Sequence, residues 1–157
     1  MDSPAFGAQR AARLFLWART WPNTLTYSFR KRRFNFVIAE QVLHTTVGND
    51  DIMIGQLDRL LIAMALPRVV LGIVPSEAEF VVPISNFCMF DRRRVLVETI
   101  SAELTVTQPR ERMLYEKNFK ALAEQALRGD AARALIRAAV GRRSERLSNH
   151  PDSALDQ

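Results

Sequence analysis

Two short apolar runs, FNFVIA (34–39) and VVLGIV (69–74), stand about thirty residues apart, and the stretch between them reads as helix. That connection is far too long for a hairpin and long enough for a helical crossover. The two runs are therefore expected to be parallel strands joined in the right-handed sense. In the first, Phe34, Phe36 and Ile38 alternate with Asn35, Val37 and Ala39. Its second face is small and largely apolar, so this strand is expected to lie inside a sheet rather than at its edge. The second run is almost wholly apolar and is closed by Pro75.

The intervening segment supplies its own punctuation. Glu40 to Val47 reads as a short helix closed by Gly48 in a left-handed C-cap. Asn49 is placed to cap the next helix, with Asp50 and Asp51 in its first turn. Met53, Leu57, Leu60, Leu61 and Met64 then form one apolar stripe, and Leu66-Pro67 ends it. Beyond Pro75 the pattern changes to short β-rich runs at 80–84, 87–90, 94–100 and 103–107. The middle two read as an antiparallel hairpin with Asp91 to Arg93 at its tip. Pro109 fits a first helical turn, with Glu111 placed for a capping interaction, and Tyr115, Phe119, Leu122 and Ala126 share one face. Gly129 is expected to end that helix and Asp130 to cap another, with Ala131, Leu135, Ile136 and Ala139 in its core. The fold class is α+β: a mixed sheet of strand, helices and strand, followed by a short antiparallel meander and packed with C-terminal helices. Residues 1–31 read as a basic leader, 32–140 as the folded domain and 141–157 as a disordered tail.

The net charge of +5 is unevenly spread. Residues 1–33 carry seven Lys and Arg against one acid, residues 34–107 five against nine, and residues 108–157 ten against seven. The centre is acidic and the basic character lies in the flanks, whereas a folded nucleic-acid surface places its basic stripe on a defined element. The cluster Arg30, Lys31, Arg32 and Arg33 is the one candidate for a nucleic-acid arm, which would bind weakly and without sequence selectivity. The single cysteine, Cys88, excludes an internal disulfide and points to a reducing, cytoplasmic setting. No run approaches the roughly 20 apolar residues of a membrane span.

A search for catalytic groups finds little. His44 and His150 belong to no ligand spacing, and there is no nucleophile elbow, P-loop or dinucleotide fingerprint. No enzyme activity, metal or cofactor is expected. Cys88, between Phe87 and Met89, reads as a small buried hydrophobe rather than a nucleophile. The arginines of DRRR (91–94) read as solubilising a turn. Glu98 shares strand parity with Leu96 and Ile100 and interrupts an apolar face. An ion pair with Arg133 or Arg137 is the favoured explanation, and a place in a partner or ligand cleft the sharper one. Glu40, at the end of the first strand, reads chiefly as a helix N-terminal charge.

The blocks RRFNFVIAEQVLHTTVG, MIGQLDRLLIAMALPRVVLGIVP, FCMFDRRRVLVETISAELTVTQPRE and LYEKNFKALAEQALRGDAARALI resemble one family. It is the C-terminal domain of unknown function carried behind a helix-turn-helix of the XRE type in actinobacterial transcriptional regulators. Those regulators are described as antitoxin-like members of toxin–antitoxin systems. The resemblance runs from about Arg32 to about Val140 and includes Glu40, Gly48, Pro67, Gly72, Glu98 and Tyr115. It implies a non-enzymatic regulatory role in which this domain binds a ligand or a small companion protein encoded nearby, possessing no established active site. Glu40, Glu98 and Tyr115 are the candidate partner-binding residues. A helix-turn-helix needs on the order of 55 residues, more than precede Arg32. The chain is thus expected to be truncated, with DNA contact left to a helix-turn-helix that is absent or separately encoded.

Overall fold

Strands β1 (Phe34–Ala39) and β2 (Val69–Val74) pair in parallel, as the length of their connection requires. The computed structural model describes residues 33–79, 81–82, 86–90, 93–99 and 102–149. The leader, the tail after Asn149 and most of the run at 80–84 lie outside those residues. The crossover holds α1 (Gln41–His44) and α2 (Asp50–Ala63). Asn49 caps α2 as expected, its side-chain oxygen accepting the Ile52 N–H at 2.9 Å. The first helix is shorter than its sequence suggests. It closes at Thr45, so Gly48, with a φ of 78°, serves the loop ahead of α2 rather than the end of α1.

The register places Phe36 beside Leu71 and Ile38 beside Ile73, so these four share a face. That face, together with Leu43, Leu57, Ala132, Ile136 and Ala139, forms the main core. Met53 and Leu57 of the expected α2 stripe are fully buried, with Leu60, Leu61 and Met64 half-buried beside them.

The edge of β2 away from β1 receives the connector between α3 (Pro109–Gln125) and α4 (Gly129–Asn149). A strand residue points its N–H and C=O to the same edge, and at Ile73 both turn away from β1. They bond Leu127 in each direction, at 2.9 and 2.8 Å. Among the described residues β2 thus has neighbours on both edges, β1 on one side and the connector on the other. Gly72 makes the close approach of the connector possible, because a Cβ there would stand 2.8 Å from the Ala126 Cβ.

The chain leaves α3 at Gln125, ahead of Gly129, which opens α4 with a φ of 57°. The α4 core uses Ala132 where Ala131 was expected, one position along, and Ala131 is exposed. Residues 141–149 also depart from expectation, since they continue α4 instead of forming a disordered tail. The physical reason is Arg143, which extends the buried face of Ala132, Ile136 and Ala139 by one more turn and is itself 1% exposed.

Strands β3 (Phe87–Phe90), β4 (Arg94–Glu98) and β5 (Glu103–Val106) make a separate antiparallel meander. Phe90 pairs with Arg94, and the Arg93 N–H donates to the Phe90 carbonyl at 2.9 Å, while Asp91 and Arg92 of the expected tip lie outside the described residues. The inner face carries Phe87, Met89, Val95 and Val97, and Phe87 meets Tyr115 of α3 edge-on at 5.1 Å. The whole is α+β, with a parallel pair between helices and a meander at its side.

Candidate binding site

β1 leads directly into Glu40 and β2, after Pro75, into Ser76, and the two polar residues meet. Glu40 follows Ala39, and its N–H donates to the Val74 carbonyl at 2.9 Å. Its carboxylate Oε2 accepts the Ser76 N–H at 2.8 Å and the Ser76 hydroxyl at 2.7 Å. The second oxygen, Oε1, lies 3.7 Å from His44 Nε2. The Ser76 N–H, then the Ser76 hydroxyl, hold the Glu40 carboxyl below the usual glutamate range, with partial desolvation opposing them. Glu40 is therefore an anion at neutral pH.

Around this carboxylate is a cleft of about 190 Å³, lined among others by Gln41, Val74, Ser76, Ala78, Leu122 and Gln125. The Gln125 side-chain amide donates to the Glu79 carbonyl at 2.7 Å and ties α3 to the loop after β2. The cleft lies outside the carboxyl ends of parallel strands, where open α/β sheets bind their ligands. Small-molecule pockets usually offer about 300–1,000 Å³. This one is smaller and suits a single inserted side chain better than a whole metabolite.

A second polar cluster joins α4 to the α1–α2 loop. Arg143 Nη1 donates to Asp50 Oδ1 at 2.5 Å and to the Thr46 hydroxyl at 3.1 Å. Its Nη2 donates to the carbonyls of Leu43 and Thr45, both at 3.2 Å. Arg146 reaches the same Asp50 oxygen at 3.0 Å, and Arg142 Nη2 lies 3.3 Å from both ring nitrogens of His44. The sequence signal for this cluster is the spacing Ala132, Ile136, Ala139, Arg143, which runs unbroken through Gly141.

Of the three candidate partner-binding residues, all of them among the described residues, Glu40 alone lines the cleft. Tyr115 is half-buried against Phe87 on the inner face of the meander. Glu98 belongs to the outer face, with Leu96, Cys88 and Thr105, and stands across from Glu103. Arg133, one of the cations considered for Glu98, donates to the Met64 carbonyl at 3.1 Å, and Arg137 is exposed. Cys88 is exposed rather than buried, because odd and even residues of β3 face opposite ways and its side is the outer one. Its thiol is still partly desolvated, and this, followed by the charges of Glu98 and Glu103, pushes its pKa up. Arg30, Lys31 and Arg32 lie outside the described residues, and Arg33 is exposed at the amino end of β1, away from the cleft. Among the described residues there is no group of three or more potential ligands placed to hold a metal, and no helix long and apolar enough to cross a membrane.

The molecule is thus a small α+β domain organised on a parallel strand pair whose carboxyl ends open into an acidic cleft. It belongs to a family known as a domain of unknown function (DUF5753), whose model matches residues 9–138 and so takes in part of the N-terminal stretch as well. No curated protein and no solved structure matches the chain.

Proposed function

We propose that this chain is a non-enzymatic regulatory domain, like the C-terminal half of antitoxin-like transcriptional regulators of the XRE type. It receives a small companion protein encoded nearby. The observation that carries the reading is the cleft around Glu40, at the carboxyl ends of β1 and β2. An ionised carboxylate with one oxygen committed to Ser76 keeps acceptor capacity on the other. The cleft's size and charge favour one basic side chain of the companion, a lysine or arginine, with its cation set against Glu40.

Co-purification of the full chain with the proteins encoded beside it tests the proposal. A companion should be retained, and Ala78→Phe, which fills the cleft, should weaken its binding at least tenfold while the chain stays folded. Glu40→Gln should weaken it too, with a smaller effect from loss of charge. A chain that remains partnerless in its native lysate, or a companion that binds both variants as well as the parent, would overturn it.

A further inference from the structure

We infer that the open pocket between α1 and α4 binds a compact phosphate dianion, either inorganic phosphate or the phosphate group of a small monoester. The pocket has a volume of about 410 Å³ and is lined by His44, Ala139, Arg142, Arg143 and Arg146. Two of its three guanidiniums, those of Arg143 and Arg146, share the carboxylate of Asp50, and the third, Arg142, lies against His44. Arg143 is spent inside the wall, where Asp50, Thr46 and two backbone carbonyls occupy its donors. Asp50 balances that buried charge, so Arg142 and Arg146 bring two positive charges to the pocket against the Glu40 carboxylate, 3.7 Å from the His44 ring, and the pocket stays net positive and suited to an anion.

Arg142 and Arg146 are four residues apart on α4 and therefore lie on one face. Each is also held in place: Arg146 by Asp50 at 3.0 Å, Arg142 against the His44 ring at 3.3 Å. Two arginine heads fixed by neighbours lose less freedom on binding than two free surface chains, and planar guanidiniums match phosphate oxygens. The Arg146 side chain is 56% exposed, which leaves its remaining N–H groups open to a ligand.

Calorimetric titration of the full chain with inorganic phosphate, and separately with glycerol phosphate, against chloride at matched ionic strength tests the site. Phosphate should bind in clear preference to chloride, and glycerol phosphate binding more tightly would assign the monoester as the ligand. Arg142→Gln, which leaves the Asp50 contacts intact, should weaken phosphate binding several-fold, and Arg142→Gln with Arg146→Gln at least tenfold. Phosphate binding no different from chloride would overturn the proposal. So would unchanged affinity in the folded Arg142→Gln variant, which would place any bound phosphate elsewhere on this basic chain.

Discussion

The two sheets of this protein solve the same packing problem in different ways. The parallel pair β1–β2 is covered on one face by α2 and α4 and on the other by α3 and its connector, so that Leu71, Ile73 and Val74 are all buried. The meander β3–β5 covers α3 with one face only. Its other face holds Cys88, Phe90, Arg94, Glu98, Glu103 and Thr105, most of them exposed. A strand covered on both faces cannot accept a polar substitution cheaply, whereas a strand with one open face can vary on that side. Stability should therefore concentrate around the parallel pair, and the outer meander face should tolerate change.

The largest test of that contrast is an arginine in each region. Arg143→Met removes the buried cation that joins α4 to Asp50 and to the carbonyls of Leu43 and Thr45. Breaking a buried, hydrogen-bonded pair from one side costs about 3–5 kcal/mol, which for a chain of this size lowers the melting temperature by about 10 °C. Arg94→Met loses only an exposed cation–π contact with Phe90 at 5.0 Å, worth about 0.5–1 kcal/mol. Thermal unfolding of the two variants side by side checks the comparison. Equal losses would show that the meander is as deeply committed to the fold as the parallel pair.

A smaller effect is expected at the join between β2 and the α3–α4 connector. Gly72→Ala sets a methyl 2.8 Å from the Ala126 Cβ, closer than two carbons can stand. Overpacking of this kind costs about 1–3 kcal/mol. Removing the opposing methyl with Ala126→Gly should restore part of the loss in the double variant, since residues in contact couple. Additive destabilisation in a denaturant titration would mean that the strain at Gly72 comes from elsewhere.

The contrast between the sheets also explains which features were legible in the sequence. The parallel pair announces itself through two apolar runs and the length between them, and Asn49 and Pro109 mark helix starts by local chemistry alone. Arg143 was hidden for the opposite reason. A cation after Gly141 in a polar, charged stretch resembles a tail, and only the partner Asp50, some ninety residues earlier, makes it worth burying. The bridge from Leu127 to Ile73 is likewise non-local, and no helix or strand pattern in the connector signals it. Glu40 was recognisable as a charge at a strand end, but its acceptance of two Ser76 donors depends on the parallel pairing that brings both strand ends together. In the meander, strand parity correctly grouped Glu98 with Leu96, but parity alone does not say which face meets the helices.

The outer face of the meander gives the smallest stability effect and a chemical readout of its own. Glu98→Gln keeps the size and shape of the side chain and should change stability by no more than about 1 kcal/mol, the worth of a charge contact near the surface. It should also change the reactivity of Cys88. Partial desolvation raises the thiol pKa first, and the charges of Glu98 and Glu103 raise it further. Less thiolate is then present at pH 8 than for a free cysteine, so alkylation by iodoacetamide should be slow and should quicken as the pH rises. Removing the Glu98 charge lowers that pKa and should speed alkylation at pH 8, while leaving the rate near complete ionisation almost unchanged. A fall of several degrees in the melting temperature would instead show that the contacts of Glu98 are structural and give the outer face a share in the core. An alkylation rate unmoved at every pH would show that the Glu98 charge does not reach the sulfur, leaving desolvation by the neighbouring strands and Glu103 to set its reactivity.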